Sequence, residues 1–286
     1  LNLQGKLING VWQGGIEWTR IREVSGFIRR GYTWNAIKGC RHGCAWQMPD
    51  GTVVECYAKG VAERLAQAAY PRGFAAHYFD SDAVADPLSV HERAGIFMDS
   101  MADVAGAWVP AEERDQVLAV IREAGARYGH IFQLLTKAAP GLLRFDLPLN
   151  VWPGVSSPPD FFNDVRVGAF QRANRMERAL GILLSLALED PSRVTWMSFE
   201  PVSYDWSAFV RQMPGALRWA VIGAGTNGST VYDPQETHVR NLLEVLDQQG
   251  VPVFFKGNLR RAAQRWGLAW REEFPAVDTP ILKEAA

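Results

Sequence analysis

Three cysteines, Cys40, Cys44 and Cys56, stand in a C-x3-C-x11-C spacing, and the 286-residue chain has no other. Thiolates are soft ligands that suit iron–sulfur clusters, zinc and copper(I). Three of them on one [4Fe–4S] cluster leave one iron without a protein ligand, an open position at which a substrate-like molecule can bind. Zinc is the competing reading: it wants a fourth ligand, and His42 lies inside the cysteine loop. Its place between the first two cysteines is too close for the usual paired-knuckle geometry. Unliganded cysteines are a third reading. Free cysteine favours apolar surroundings, whereas these stand beside Gly39, Arg41, His42 and Gly43.

A second set of polar residues stands where short apolar runs end. Ser198 and Glu200 close the run 193–199, and a charge there is costly unless it is paired or sits at a wet strand mouth. Lys256 follows Phe254 and Phe255, Thr136 and Lys137 end the run 130–135, and Ser156 and Ser157 end the run 150–155. Asp99, Ser100 and Asp103 follow the run 94–98. Each has a plainer role: Asp and Ser cap helices, and a lysine sits in solvent. As a group they read as one rim, with Glu200 and Lys256 as its reactive pair. Gly223-x-Gly225-x-x-Gly228 matches a dinucleotide fingerprint formally, but it comes late in the chain. Eleven tryptophans are many; Trp34, Trp46 and Trp152 can stack on a base or fill the core.

These residues need a frame. Strands are expected near 94–98, 130–135, 150–155, 193–199, 217–222 and 251–255, with one more before Cys40. Pro153 marks the third of these as short or bulged. Helices are expected over 56–69 (Tyr57, Val61, Leu65 and Ala68 on one face), 110–126, 161–188 (in one piece or two) and 236–249. Alternating strands and helices predict a mostly parallel α/β sheet of about seven strands, a full or partial (β/α) barrel, with a doubly wound sheet as the alternative. Chemistry is then expected at the carboxyl ends of the strands.

Composition narrows the classes. Hydrophobic residues make up 48%, charged residues 21%, and the formal net charge is −1, so no global basic field announces a nucleic-acid binder. The basic N-terminal stretch Arg20, Arg22, Arg29, Arg30 leaves room for a local contact. No apolar run reaches membrane-spanning length, and residues 1–14 lack the apolar core of a signal peptide. An odd cysteine cluster argues against a disulfide framework and for a reducing, cytoplasmic compartment.

The stretch Thr33-Trp34-Asn35 … Gly39-Cys40 … Gly43-Cys44 … Cys56-Tyr57-Ala58, with Glu63-Arg64 after it, resembles a phage and bacterial family catalogued as a domain of unknown function. That family has a TWNP…GC…GC…CYAER signature and is similar to radical S-adenosylmethionine (SAM) proteins, spore photoproduct lyase among them. Further stretches fit in order: 16–19, 97–103, 132–137, 151–156, 198–201, 219–223 and 250–256. The resemblance covers about residues 16–260 of what reads as a single domain, 1–286. Two departures stand out. Residues 45–55 separate cysteines that resemble a C-x2-C pair in the family, and Gly223-Ala224-Gly225-Thr226-Asn227-Gly228 lacks the family's carboxylate after Gly-Gly.

The resemblance implies a radical SAM barrel. Cys40, Cys44 and Cys56 would hold a [4Fe–4S] cluster, and SAM would bind through Asp99, Ser100, Asp103, Thr136, Lys137, Ser156, Ser198, Gly223 and Gly225. It also implies an electron donor such as flavodoxin or ferredoxin. The target would be a nucleobase, a thymine derivative in phage DNA, rearranged or modified in the host cytoplasm by an isomerase- or lyase-type reaction. A non-catalytic, zinc-containing nucleic-acid-binding protein is the alternative.

Overall fold

Side chains of a strand point alternately to its two faces, so strands between helices bury one face under the helices and turn the other inward. In the computed structural model, which describes residues 1–64 and 67–276, this pattern builds one eight-stranded sheet. Its strands are β1 (Asn2–Leu3), β2 (Gly31–Trp34), β3 (Gly95–Met98), β4 (Ile131–Thr136), β5 (Val151–Ser156), β6 (Trp196–Phe199), β7 (Trp219–Ile222) and β8 (Val253–Phe255). They lie side by side in chain order. β1 is antiparallel to β2, and β2 to β8 are all parallel. The main helices are α1 (Tyr57–Arg64), α2 (Ala111–Tyr128), α3 (Ala169–Glu189), α4 (Ser207–Gln212), α5 (Glu236–Gln248) and α6 (Arg260–Arg265).

Sequential strand order with crossovers of one hand puts the helices on a single face. The sheet therefore curls into an open half-barrel. The doubly wound alternative is excluded, because its strand order reverses at a switch point. β1 and β8 are the two edges, and the segment around Arg271 and Glu273 covers β8, with Phe255 N–H donating to Arg271 O at 2.8 Å and Glu273 N–H to Val253 O at 3.1 Å. No helix among the described residues is long and apolar enough to cross a membrane.

The two faces carry different cores. On the helix side Ile96, Met98, Phe132, Leu134, Met197 and Phe199 pack against Val117, Ile121, Leu180, Leu183, Leu242 and Leu246. The intervening positions Phe97, Trp152, Trp196, Trp219 and Phe254 fill the concave side, joined by Trp18 from a 3-10 turn at Glu17–Thr19. Trp18 lies 4.6 Å from Phe97 and 5.0 Å from Trp196, ring centre to ring centre. Each such aromatic pair adds about 1 kcal/mol to the area it buries. Gly31 and Gly95, register partners on β2 and β3, make the close approach of this turn possible: a Cβ would come within 2.1 Å of Thr19 Oγ1 on Gly31 and 2.0 Å of Thr19 O on Gly95.

Three expectations differ from the structure. The helix expected over 161–188 begins only at Ala169; before it, Phe161–Phe162 and Val165–Arg166 form a hairpin. Its turn residues, Asn163 (φ 51°) and Asp164 (φ 61°), adopt the left-handed pair a two-residue hairpin turn requires. β5 is not shortened by Pro153, because its ladder to β6 starts one residue later, at Gly154 opposite Trp196. The helix expected over 56–69 is described as α1 followed by a 3-10 turn at Gln67–Ala69; Leu65 lies outside the described residues.

Candidate functional site

The loops that follow β2 and β3 form a layered platform at the carboxyl ends of the strands. Cys40 and Cys44 belong to the first loop, which pairs with the second where Gly39 N–H donates to Met101 O at 3.0 Å. Residues 45–55, the departure from the family spacing, fold as a β-hairpin pairing Ala45 with Glu55, Trp46 with Val54 and Gln47 with Val53. Its open end brings Cys44 and Cys56 together: Cys56 N–H donates to Cys44 O at 3.0 Å. All three cysteines line one cavity of about 250 Å³. Burial pushes the Cys40 thiol up, against a hydrogen bond from the His42 amide, and pushes Cys44 up to about 12, against the nearby Lys137 ammonium. A metal reverses this preference, because a coordinated thiol gives up its proton.

His42 lines the cysteine cavity and is anchored on one side of its ring. Its Nε2 shares a 2.7 Å hydrogen bond with Asp103 Oδ2, and its ring sits 4.8 Å from Trp108 and 4.9 Å from Phe162. Asp103 also accepts from Thr136 Oγ1 at 2.7 Å, from the Lys137 amide at 3.0 Å and from the Ala105 amide at 3.1 Å. Burial raises the Asp103 carboxyl, yet these donors outweigh it and hold the group below the usual carboxylate range. Among the described residues no three His, Cys, Asp or Glu side chains converge on a single metal ion.

A second cavity of about 370 Å³ opens at the mouth of the half-barrel and shares Glu55 and Cys56 with the first. The concave-side alternation brings Ser156 and Ser198 to its wall as register partners on β5 and β6. Lys137 Nζ donates to Ser156 Oγ at 3.2 Å and stands 5.2 Å from the Trp46 ring. Glu200 and Lys256 form an ion pair across the mouth. Asn258 Nδ2 donates to Glu200 Oε1 at 3.3 Å and to Ala224 O at 2.9 Å. Trp18, Met48, Val54 and Phe97 supply apolar wall.

The expected site residues thus fall into two groups. Lys137, Ser156, Ser198, Glu200, Gly225 and Lys256 line the mouth together with Cys56. Asp99, Ser100, Asp103 and Thr136 line neither cavity and lie in the platform beneath the cysteines. Asp99 (φ 57°) is buried with Oδ2 unpartnered, and burial drives its carboxyl well above the usual range. The Ser100 carbonyl accepts from the Tyr57 hydroxyl at 2.7 Å, next to Cys56. Gly223 sits against the ion pair: a Cβ there would be 3.1 Å from Glu200 Oε1 and from Lys256 Cδ. Gly225 and Thr230–Tyr232 belong to a small hairpin, so the Gly-x-Gly-x-x-Gly run opens no helix and forms no dinucleotide site. Trp34 and Trp152 are core residues, whereas Trp46 lines the mouth. Asn258 is a mouth residue that sequence reasoning misses, although it stands just past the same strand end as Lys256. The His42–Asp103 pair joins distant segments and has no local signal.

The chain belongs to a family described as protein of unknown function (DUF5131), whose profile matches residues 14–267. Among curated proteins none matches it. Among solved structures it is similar to a radical SAM methyltransferase from Sphaerobacter thermophilus. The two are 13% identical, 82% of this chain and 71% of that chain are covered, and the TM-score is 0.44.

Proposed function

We propose that this protein is a radical SAM enzyme in which Cys40, Cys44 and Cys56 hold a [4Fe–4S] cluster, and that its target is a nucleobase. One observation carries the reading: the three cysteines, two in the loop after β2 and the third beyond the 45–55 hairpin, share a single cavity wall that abuts the polar mouth of a parallel half-barrel. The donor set fits such a cluster. It consists of thiols alone, with room between them, an amide hydrogen bond on Cys40 and the positive field of Lys137 and Arg175 at Cys44. His42, the ligand a zinc site would recruit, has its Nε2 held by Asp103, and no three His, Cys, Asp or Glu side chains among the described residues converge on a single ion. Loaded with SAM, such a cluster supplies one-electron cleavage of a carbon–sulfur bond and hydrogen-atom abstraction from the substrate.

The chain's own residues do the rest. Lys137, Ser156 and Ser198 offer hydrogen bonds to the polar parts of SAM. The flat walls at Trp18 and Trp46, whose buried indole N–H groups have no partner, suit a planar ring bearing carbonyl acceptors. Glu200 and Lys256 bind the polar edge of that ring and can exchange a proton with it at Lys256 Nζ. The hairpin at 45–55 supplies apolar wall to the mouth through Trp46, Met48 and Val54. The reaction on the base is read as a rearrangement or lyase-type cleavage of a thymine derivative.

The test is anaerobic reconstitution with iron and sulfide, reduction with dithionite and addition of SAM. Retention of about four irons and release of 5′-deoxyadenosine are expected, and both should vanish in a Cys40→Ala, Cys44→Ala, Cys56→Ala variant. A protein that binds one zinc and releases no 5′-deoxyadenosine would overturn the proposal and favour a non-catalytic metal site.

A further inference from the structure

The largest of the cavities described has walls of one charge. It measures about 560 Å³ and lies between the β5–α3 connection and the first turns of α3, outside the half-barrel. Its cations are Lys137, Arg166, Arg175 and Arg178, and no Asp or Glu lines it. Among the described residues Lys137, Arg175 and Arg178 pair with no carboxylate within 4.0 Å, whereas Arg166 donates to Gln47 and lies in the field of Asp160, to which neighbouring Arg172 is paired. In a chain of net charge −1, three cations converging without a paired counter-charge is an arrangement that costs stability by mutual repulsion. An anion in the cleft reverses that cost.

The cations are also spaced. Gln171, Arg175 and Arg178 stand at i, i+4 and i+7 on α3 and so form one stripe along the helix. Arg175 stacks 4.5 Å from the centre of Phe162, which lines the cleft and holds that side chain along it, while Arg166 lies 5.3 Å from its cross-strand partner Phe161 at the cleft edge. Phe170, at the head of the same helix, is 77% exposed and offers a free ring face. A row of cations interleaved with aromatic rings is the surface a nucleic-acid strand uses, the cations following phosphates and the rings stacking on bases. At the inner end, Lys137 and Ser156 line both this cleft and the mouth.

We propose that this cleft is the track for the phosphodiester backbone of a single nucleic-acid strand, along which one nucleotide is delivered past Lys137 into the mouth. A single strand is favoured because a base must leave its stack to enter a recessed site. The delivery step rests on the nucleobase reading above; binding by the cleft does not.

The experiment measures fluorescence anisotropy of a labelled twelve-nucleotide single-stranded DNA with the full chain, across a salt series, for the native protein and Arg175→Ala/Arg178→Ala. Both arginines are exposed and lie outside the mouth, and an Arg175→Lys/Arg178→Lys variant keeps the charge. Binding is expected to weaken at least tenfold in the alanine variant and to recover in the lysine variant. Each phosphate left without its cation should lower the salt slope by about 0.7, hence about 1.4 for two. No binding by the native protein, or equal binding by the alanine variant with an unchanged melting temperature, overturns the proposal. A preference for duplex that survives both substitutions does the same. The cysteine-free variant separates the two readings: loss of 5′-deoxyadenosine with oligonucleotide binding intact leaves the cleft assignment standing on its own.

Discussion

His42 and Asp103, 61 positions apart in the chain, meet at 2.7 Å in the buried layer beneath the cysteines. The pair ties the loop that carries Cys40 and Cys44 to the ends of β3 and β4, because Asp103 also accepts from Thr136 and the Lys137 amide. Removing one partner from a buried, hydrogen-bonded pair costs about 3–5 kcal/mol. Asp103→Ala is therefore expected to lower the melting temperature by several degrees and to reduce iron retention after reconstitution, with all three cysteines still present.

The same carboxylate sets a pH signature. An ordinary Asp titrates near 3.9, and Asp103 is held below that. Its stabilisation is complete above about pH 4 and is lost as pH falls through the lowered native value. The melting-temperature gap between native protein and Asp103→Asn should narrow as the pH is lowered below about 4. A gap that widens on acidification contradicts the assignment.

Asp99 behaves in the opposite sense. Burial raises its carboxyl, so the fold retains a proton that the unfolded chain has already released. Stability then falls as pH rises from about 4 towards the raised native value. Asn copies the neutral carboxyl and tolerates the left-handed backbone at this position. Asp99→Asn should raise the melting temperature at pH 7, by about 2–4 °C per kcal/mol recovered, and flatten its decline with pH. A lower melting temperature at pH 7 would count against a neutral Asp99.

At the mouth, Gly223 leaves room for the Glu200–Lys256 pair. With a Cβ only 3.1 Å from Glu200 Oε1 and Lys256 Cδ, Gly223→Ala must push the two side chains apart by a few tenths of an ångström. The expected result is turnover reduced by about tenfold, as for a modest misplacement of catalytic groups. The melting temperature should fall little, because the pair is partly solvated and worth about 0–1 kcal/mol to the fold. Steady-state kinetics beside a thermal melt distinguish this from general destabilisation.

Much of the frame is legible because it is written in short-range pattern. Phe97, Trp152, Trp196 and Trp219 alternate with the residues under the helices, and that period marks the strands and their inner faces. The rim at Ser156, Ser198, Glu200 and Lys256 follows from strand ends alone. What escapes depends on tertiary pairing. Nothing near Asp103 in the chain announces His42, so Asp103 and Thr136 read as rim residues although they brace the platform below it. Asn163 and Asp164 read as part of a helix because their turn chemistry is local while the partner strand, at Ala45, is remote.

Cys44 and Cys56 meet at the open end of a hairpin whose tip, around Asp50 and Gly51, is exposed. The number of residues between them is thereby uncoupled from their separation in space. Residues added or removed in register at the tip leave the base unchanged, so cysteine spacing in this chain is a property of the ladder and not of the count. The tip is in consequence a natural position for an inserted reporter or affinity tag, carried at the rim of the cavity without a cysteine having to move.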